Sequence, residues 1–168
     1  MPKTIHRADS RGKAEHGWLH SRHTFSFARY HDPQRMQFGK LRVLNDDVVE
    51  AGAGFDTHPH DNMEIVSIPL AGTLRHRDSM GHEHVIRAGE VQIMSAGTGI
   101  MHSEYNDSQT DPVNFLPIWV LPRQRDIAPR YEQRAFEAAS RRNRPQLVVS
   151  PDGQGDSLTI NQDAWFSL

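Results

Sequence analysis

Two pairs of side chains carry the clearest chemistry in this sequence. His58 and His60 lie one residue apart in GFDTHPHDNMEI (54–65), and His102 and Glu104 repeat that spacing in AGTGIMHSEYN (96–106). In an extended strand, positions i and i+2 point to the same face with about 6.6 Å between their Cα atoms, so each pair can offer two donors to one ion. A single such pair is weak evidence of design in a chain with 11 histidines. Two pairs on two strands together offer three nitrogens and one oxygen. That donor set suits iron(II) first, and also zinc, nickel, manganese or copper, with coordination positions left open for water or substrate.

Strands are what must position these donors. Apolar runs are short and bounded by turn chemistry, which predicts strands at Phe38–Leu44, Glu64–Leu70, His84–Ile86, Glu90–Met94, Asn114–Leu121, Gln146–Val149 and Ser157–Ile160. Between them lie AGAG (51–54), AGT (71–73), SMGH (79–82), AGTG (96–99) and SPDGQGD (150–156), where Gly supplies positive φ and Asp or Ser bonds its own backbone. The single helical expectation is RYEQRAFEAASRR, Arg130–Arg142, rich in helix formers and preceded by Pro129. The fold class predicted is an all-β antiparallel barrel or sandwich.

At 168 residues the chain can bury one substantial core, with room for an appendage. The formal charge of -2, with acidic and basic residues interspersed, lacks the basic stripe of a nucleic-acid binder. Without cysteine there is neither a disulfide framework nor a thiolate metal site, and a cytoplasmic location is the expectation. The first 18 residues contain no apolar core of the signal-peptide kind, and no later window reads as a membrane span.

GFDTHPHDNMEIVSIPLAG resembles the first cupin motif: Gly52, His58, His60 and Glu64 fit it, with Gly72 one residue late. HSEYN, with Gly99 before it and Asn106 at its end, resembles the second. HGWLHSRHTFSFARYHDP (16–33), FGKLRVLNDD (38–47), THPHDNMEIVS (57–67), IRAGEVQIMSAGTGIMHSEYN (86–106) and PRYEQRAF (129–136) together look like the pirin family. The resemblance implies a two-domain cupin, a double-stranded antiparallel β-helix, whose N-terminal barrel holds one divalent metal. It carries the metal ligands onto His58, His60, His102 and Glu104. General cupins take a ligand from the position of Glu64, whereas pirin-like proteins take theirs from the HSE triplet. Glu64 is therefore expected behind the ligands, steering a histidine tautomer.

The resemblance also divides the chain into a metal-binding cupin domain (1–121), a connector with a short helix (122–156) and the opening of an incomplete second barrel (157–168). In that last segment Trp165, Phe166 and Leu168 would leave an apolar, unpaired edge, so the tail is expected to pair with another chain, as in a homodimer, or with the edge of the first barrel. His82 and His84 read as a solvated hairpin loop, and Arg141, Arg142 and Arg144 as a solvated helix end. His16, His20 and His23, with Trp18, Phe25, Phe27 and Tyr30, read as packing over a barrel edge, with a pocket rim as the alternative. Pirin-like proteins include quercetin 2,3-dioxygenases, which open a flavonol ring with O₂ and release carbon monoxide. The resemblance thus implies a flavonol and O₂ as substrates. A carboxylate already among the ligands lies within reach of a hydroxyl arriving at an adjacent open position, so Glu104 is expected to act also as base toward the flavonol hydroxyl. The alternative is a metal-dependent module, without catalytic activity, that regulates a partner protein. A dry concave pocket of several hundred Å³ above the metal distinguishes the enzyme from the module.

Overall fold

Alternation along Leu41–Val49 sets the architecture: Val43, Asn45, Asp47 and Val49 are buried while the residues between them are only partly so. A computed structural model describes residues 5–168. Its strands are β1 (Gly12–Glu15), β2 (Leu19–His23), β3 (Leu41–Val49), β4 (Gly54–His60), β5 (Glu64–Ala71), β6 (Thr73–Asp78), β7 (Glu83–Arg87), β8 (Glu90–Ser95), β9 (Ile100–Asn106), β10 (Val113–Val120), β11 (Arg130–Ala135), β12 (Leu147–Ser150), β13 (Leu158–Thr159) and β14 (Phe166–Ser167). Helical structure among the described residues is limited to three short 3-10 turns, and none is long and apolar enough to cross a membrane.

A seven-stranded sheet, ordered β1-β2-β3-β10-β5-β8-β11, and a four-stranded sheet, ordered β4-β9-β6-β7, are both antiparallel throughout. Their inner faces meet through Leu19, Val49, Val113 and Phe115 of the larger sheet and Leu74 and Ile86 of the smaller one. The outer face of the larger sheet is buried as well. Val66, Ile68, Val91, Ile93, Ile118 and Val120 pack there against Phe136, Val148, Val149, Leu158 and Ile160. The last four belong to or adjoin a small sheet, β13-β12-β14. The central strands thus carry apolar side chains on both faces, which is why Glu64–Leu70 reads as a continuous run instead of an alternating one.

The segment expected to be helical is instead β11, paired with β8 from Arg130↔Ser95 to Ala135↔Glu90, followed by one 3-10 turn at Ala138–Arg141. Helix propensity is worth only a few tenths of a kcal/mol per residue, and the ladder with β8 outweighs it. Within the stretch expected as a connector, Arg130–Ala135 therefore extends the barrel sheet. The tail does not stand as an unpaired edge: β13 runs parallel to β12 and β14 antiparallel to it, and Phe166 and Leu168 pack onto the outer core while Trp165 stays exposed. Strand β3 also starts later and runs further than expected, to Val49, leaving Phe38 in the solvent.

Candidate metal centre and its pocket

Strands β4 and β9 bring the His58–His60 and His102–Glu104 pairs together. His58 stands directly opposite His102 and His60 opposite Ile100, after an irregularity beyond Phe55 resets the register. The close approach needs Gly54, where a Cβ would fall 2.4 Å from the Glu104 carbonyl oxygen and 2.5 Å from Tyr105 Cα. Ring centroids are 5.0 Å apart for His58 and His60, 4.4 Å for His58 and His102, and 4.9 Å for His60 and His102. One ligand atom from each imidazole lies within 4.8 Å of the other two.

Electrostatics and hydrogen bonding fit a cation here. Burial, followed by the neighbouring imidazoles, pushes His60 and His102 down to about 3, so both are neutral, the form that binds metals. His58 Nδ1 lies 2.7 Å from the Asp56 carbonyl oxygen. A carbonyl only accepts, so Nδ1 carries the proton and Nε2 is free to ligate. Both ring nitrogens of His102 are buried without a partner. An orphaned imidazole nitrogen costs about 1–3 kcal/mol, and a metal ion between the three rings would satisfy one of the two.

Glu104 lies on the same inward face of β9 as His102, buried, and lines the same cavity. Its Oε1 accepts from Ser67 Oγ at 3.0 Å, and burial raises its pKa against the opposing pull of His76, that hydrogen bond and His58. Its carboxylate is outside the group of mutually close ligand atoms formed by the three histidines.

Glu64 departs from the expectation. Its Oε2 accepts from Ser95 Oγ at 2.8 Å and from the Asn161 backbone N–H at 3.0 Å. Glu64, Val66 and Ile68 face outward toward the small C-terminal sheet, whereas Ser67 faces inward to Glu104. The reason is the turn at Asp61–Met63, which carries the chain from the smaller sheet to the larger and breaks the alternation that would otherwise relate Glu64 to His58 and His60. Asn62 holds that turn in a left-handed conformation (φ 46°), with its N–H on the Gly97 carbonyl and its side chain exchanging hydrogen bonds with Asp126.

The imidazole trio forms part of the wall of a cavity of about 480 Å³. Trp18, Phe27, Phe55, Phe115 and Trp119 supply its aromatic lining, with Trp119 edge-on to both His60 and Phe27. His16, Trp18, His23 and Phe27 therefore line a pocket instead of only covering an edge. His20 is exposed and pairs with Glu15, Phe25 is core, and Tyr30 lies outside this cavity. His82 is half-buried and His84 exposed at the β6–β7 hairpin, as expected, and both also stack on Tyr131, with His82 Nδ1 2.9 Å from Asp78 Oδ2. Asp78 also bonds His76, which stacks with Tyr131 as well and lies 5.4 Å from His102 between ring centroids.

Sequence reasoning missed His76, Asp78, Asn45 and Asp47. A signal existed for the last two: they occupy every-second positions between Val43 and Val49, the interior face of an alternating strand.

Comparison with known proteins agrees with this geometry. The Pirin family model matches residues 4–120. The chain is 55% identical over 159 residues to a protein of Escherichia coli K12 named quercetin 2,3-dioxygenase, covering 95% of this chain and 68% of that protein. Its fold superposes on the crystal structure of YhhW from Escherichia coli with a TM-score of 0.92 at 55% identity, covering 96% of this chain and 68% of YhhW. The same bacterial pirin in complex with nickel(II) matches with a TM-score of 0.88 at 55% identity, covering 94% and 66%. The chain spans about two thirds of the length of these relatives. With the cupin barrel, the inward histidine trio and the family match over most of its length, the chain belongs to the pirin family.

Proposed function

We propose that this protein is a metal-dependent dioxygenase that opens the ring of a flavonol such as quercetin with O₂, holding one divalent ion on His58, His60, His102 and Glu104. The observation that carries the reading is the position of three convergent imidazoles on the wall of a concave, aromatic-lined cavity of about 480 Å³. That volume lies within the usual range for small-molecule sites, about 300–1,000 Å³. A regulatory surface module has no need of such a cavity. The relatives named quercetin 2,3-dioxygenase and the nickel complex of YhhW support the same assignment.

When bound, the ion supplies a Lewis acid toward which an acidic flavonol hydroxyl can turn. The chain's own residues do the rest. Trp18, Phe55, Phe115 and Trp119 offer flat apolar surfaces that match a planar polyphenol and exclude water from it. Glu104, whose burial favours the protonated carboxyl, takes the proton from the substrate hydroxyl. Ser67 holds Oε1 of that carboxylate while the proton moves.

The test is aerobic and anaerobic incubation of the metal-reconstituted protein with quercetin, following loss of flavonol absorbance and release of carbon monoxide. Oxygen-dependent carbon monoxide in proportion to flavonol consumed is the expected result. Tight flavonol binding with no turnover for iron, nickel, manganese, copper or zinc would overturn it.

A further inference from the structure

The wall facing the metal centre is polar where the fold alone would have it apolar. Asn45 and Asp47 occupy interior positions of β3, flanked by Val43 and Val49, and all of them lie on the larger sheet across the cavity from β4 and β9. Strand register sets His23 beside Asn45 and Ser21 beside Asp47. The result is one buried polar patch, with Asn45, Asp47 and His23 each exposed by 4% or less.

The protein leaves this patch largely unpaired. Asn45 makes no side-chain hydrogen bond with any described residue, and its Oδ1 is buried without a partner. His23 Nδ1 is equally orphaned. The only side-chain hydrogen bond to Asp47 among the described residues comes from Ser21 Oγ to Oδ1. Burial pushes the Asp47 carboxyl up to about 7, as expected of a carboxylate with too few donors around it. Leaving a buried polar group unsatisfied is costly, and two such groups beside a sparsely bonded carboxyl on one patch of a barrel interior carry a cost that hydrogen bonding to a ligand would remove.

Building on the flavonol reading above, we propose that Asn45, Asp47 and His23 form the subsite that binds the peripheral hydroxyls of the substrate. The patch determines specificity for polyhydroxylated flavonols over those bearing only the metal-facing hydroxyl. A phenolic hydroxyl both donates and accepts, which matches an amide, a carboxylate and an imidazole side by side. An apolar ring end would leave Asn45 and His23 unpaired and Asp47 with Ser21 alone in a dry wall, and sites built to bond a hydroxyl reject analogues that lack it far more strongly than apolar pockets reject an added group.

The experiment is anaerobic titration calorimetry of the metal-loaded protein with quercetin and with 3-hydroxyflavone, which keeps the 3-hydroxyl and 4-keto groups and has no other hydroxyl. Wild type should bind quercetin at least about tenfold more tightly, the worth of one net hydrogen bond. Asn45→Leu should weaken quercetin about tenfold and leave 3-hydroxyflavone within about twofold. Asp47→Asn, which keeps an acceptor for Ser21, should also narrow the difference between the ligands. 3-Hydroxyflavone binding serves as the internal check that each variant is folded and metal-loaded. Equal affinity of wild type for both ligands, or parallel loss of both in the variants, would overturn the subsite while leaving the flavonol reading intact. Failure of wild type to bind either ligand would overturn both.

Discussion

His58 on β4 faces His102 on β9 across one rung of an antiparallel ladder, with ring centroids 4.4 Å apart and His60 closing the triangle. Replacing His60 or His102 with Ala removes one of three convergent nitrogens, so neither variant should retain stoichiometric metal. Elemental analysis of protein purified without chelator or nickel affinity resin is the check, and wild-type metal content in either variant would exclude the trio as the binding site. His82→Asn with His84→Ser should leave metal content unchanged, because those rings stack on Tyr131 outside the trio.

Glu104→Gln keeps the shape, the Ser67 contact and an oxygen donor while removing the carboxylate's ability to take a proton. The variant should hold much of its metal yet lose flavonol turnover by about 10²-fold or more, the usual worth of a positioned base. Parallel loss of metal and activity would reduce Glu104 to a ligand, and full activity would remove it as the base.

Asp47 also makes a prediction about stability and pH. Its folded pKa of about 7 lies above the ordinary 3.8, because burial disfavours the charged form. Between those values the folded state holds a proton that the unfolded chain has released, so stability falls as pH rises through that window. Asp47→Asn removes the penalty. Its melting temperature relative to wild type should therefore be higher at pH 8 than at pH 4, corresponding to a gain on the order of a few kcal/mol. A pH-independent difference in thermal melts would show that Asp47 ionises normally.

Glu64 joins the barrel to the C-terminal sheet through Ser95 and the Asn161 N–H, while Arg130 bonds Ser95 Oγ at 3.1 Å and the Thr159 carbonyl. Glu64→Ala leaves buried donors without an acceptor and should destabilise the protein by about 2–3 kcal/mol in chemical denaturation. Metal content should be unaffected below the unfolding transition. Specific loss of metal from a folded Glu64→Ala variant would restore a role for this residue behind the ligands.

The sequence by itself determined what is local to a strand. Alternation placed His58 with His60 and His102 with Glu104, glycine-rich turns bounded short apolar runs, and together they defined an all-β barrel with a candidate metal site. Side-chain direction follows from backbone geometry within an unbroken strand, so these readings need no knowledge of neighbours. Tertiary structure decided what depends on a change of sheet or on a partner. Glu64 follows His60 by four residues, yet the turn at Asn62 moves the chain between sheets and turns its carboxylate away from the histidines. Arg130–Ala135 has helix-forming composition and is a strand because β8 offers it a full ladder and Tyr131 a stack of imidazoles. Asn45, Asp47 and His23 become one patch only when β2 and β3 pair and the smaller sheet closes over them. Weak local preferences of a few tenths of a kcal/mol per residue yield to cross-strand pairing and burial, which is why the ligand spacing was legible in the chain and the pocket wall was not.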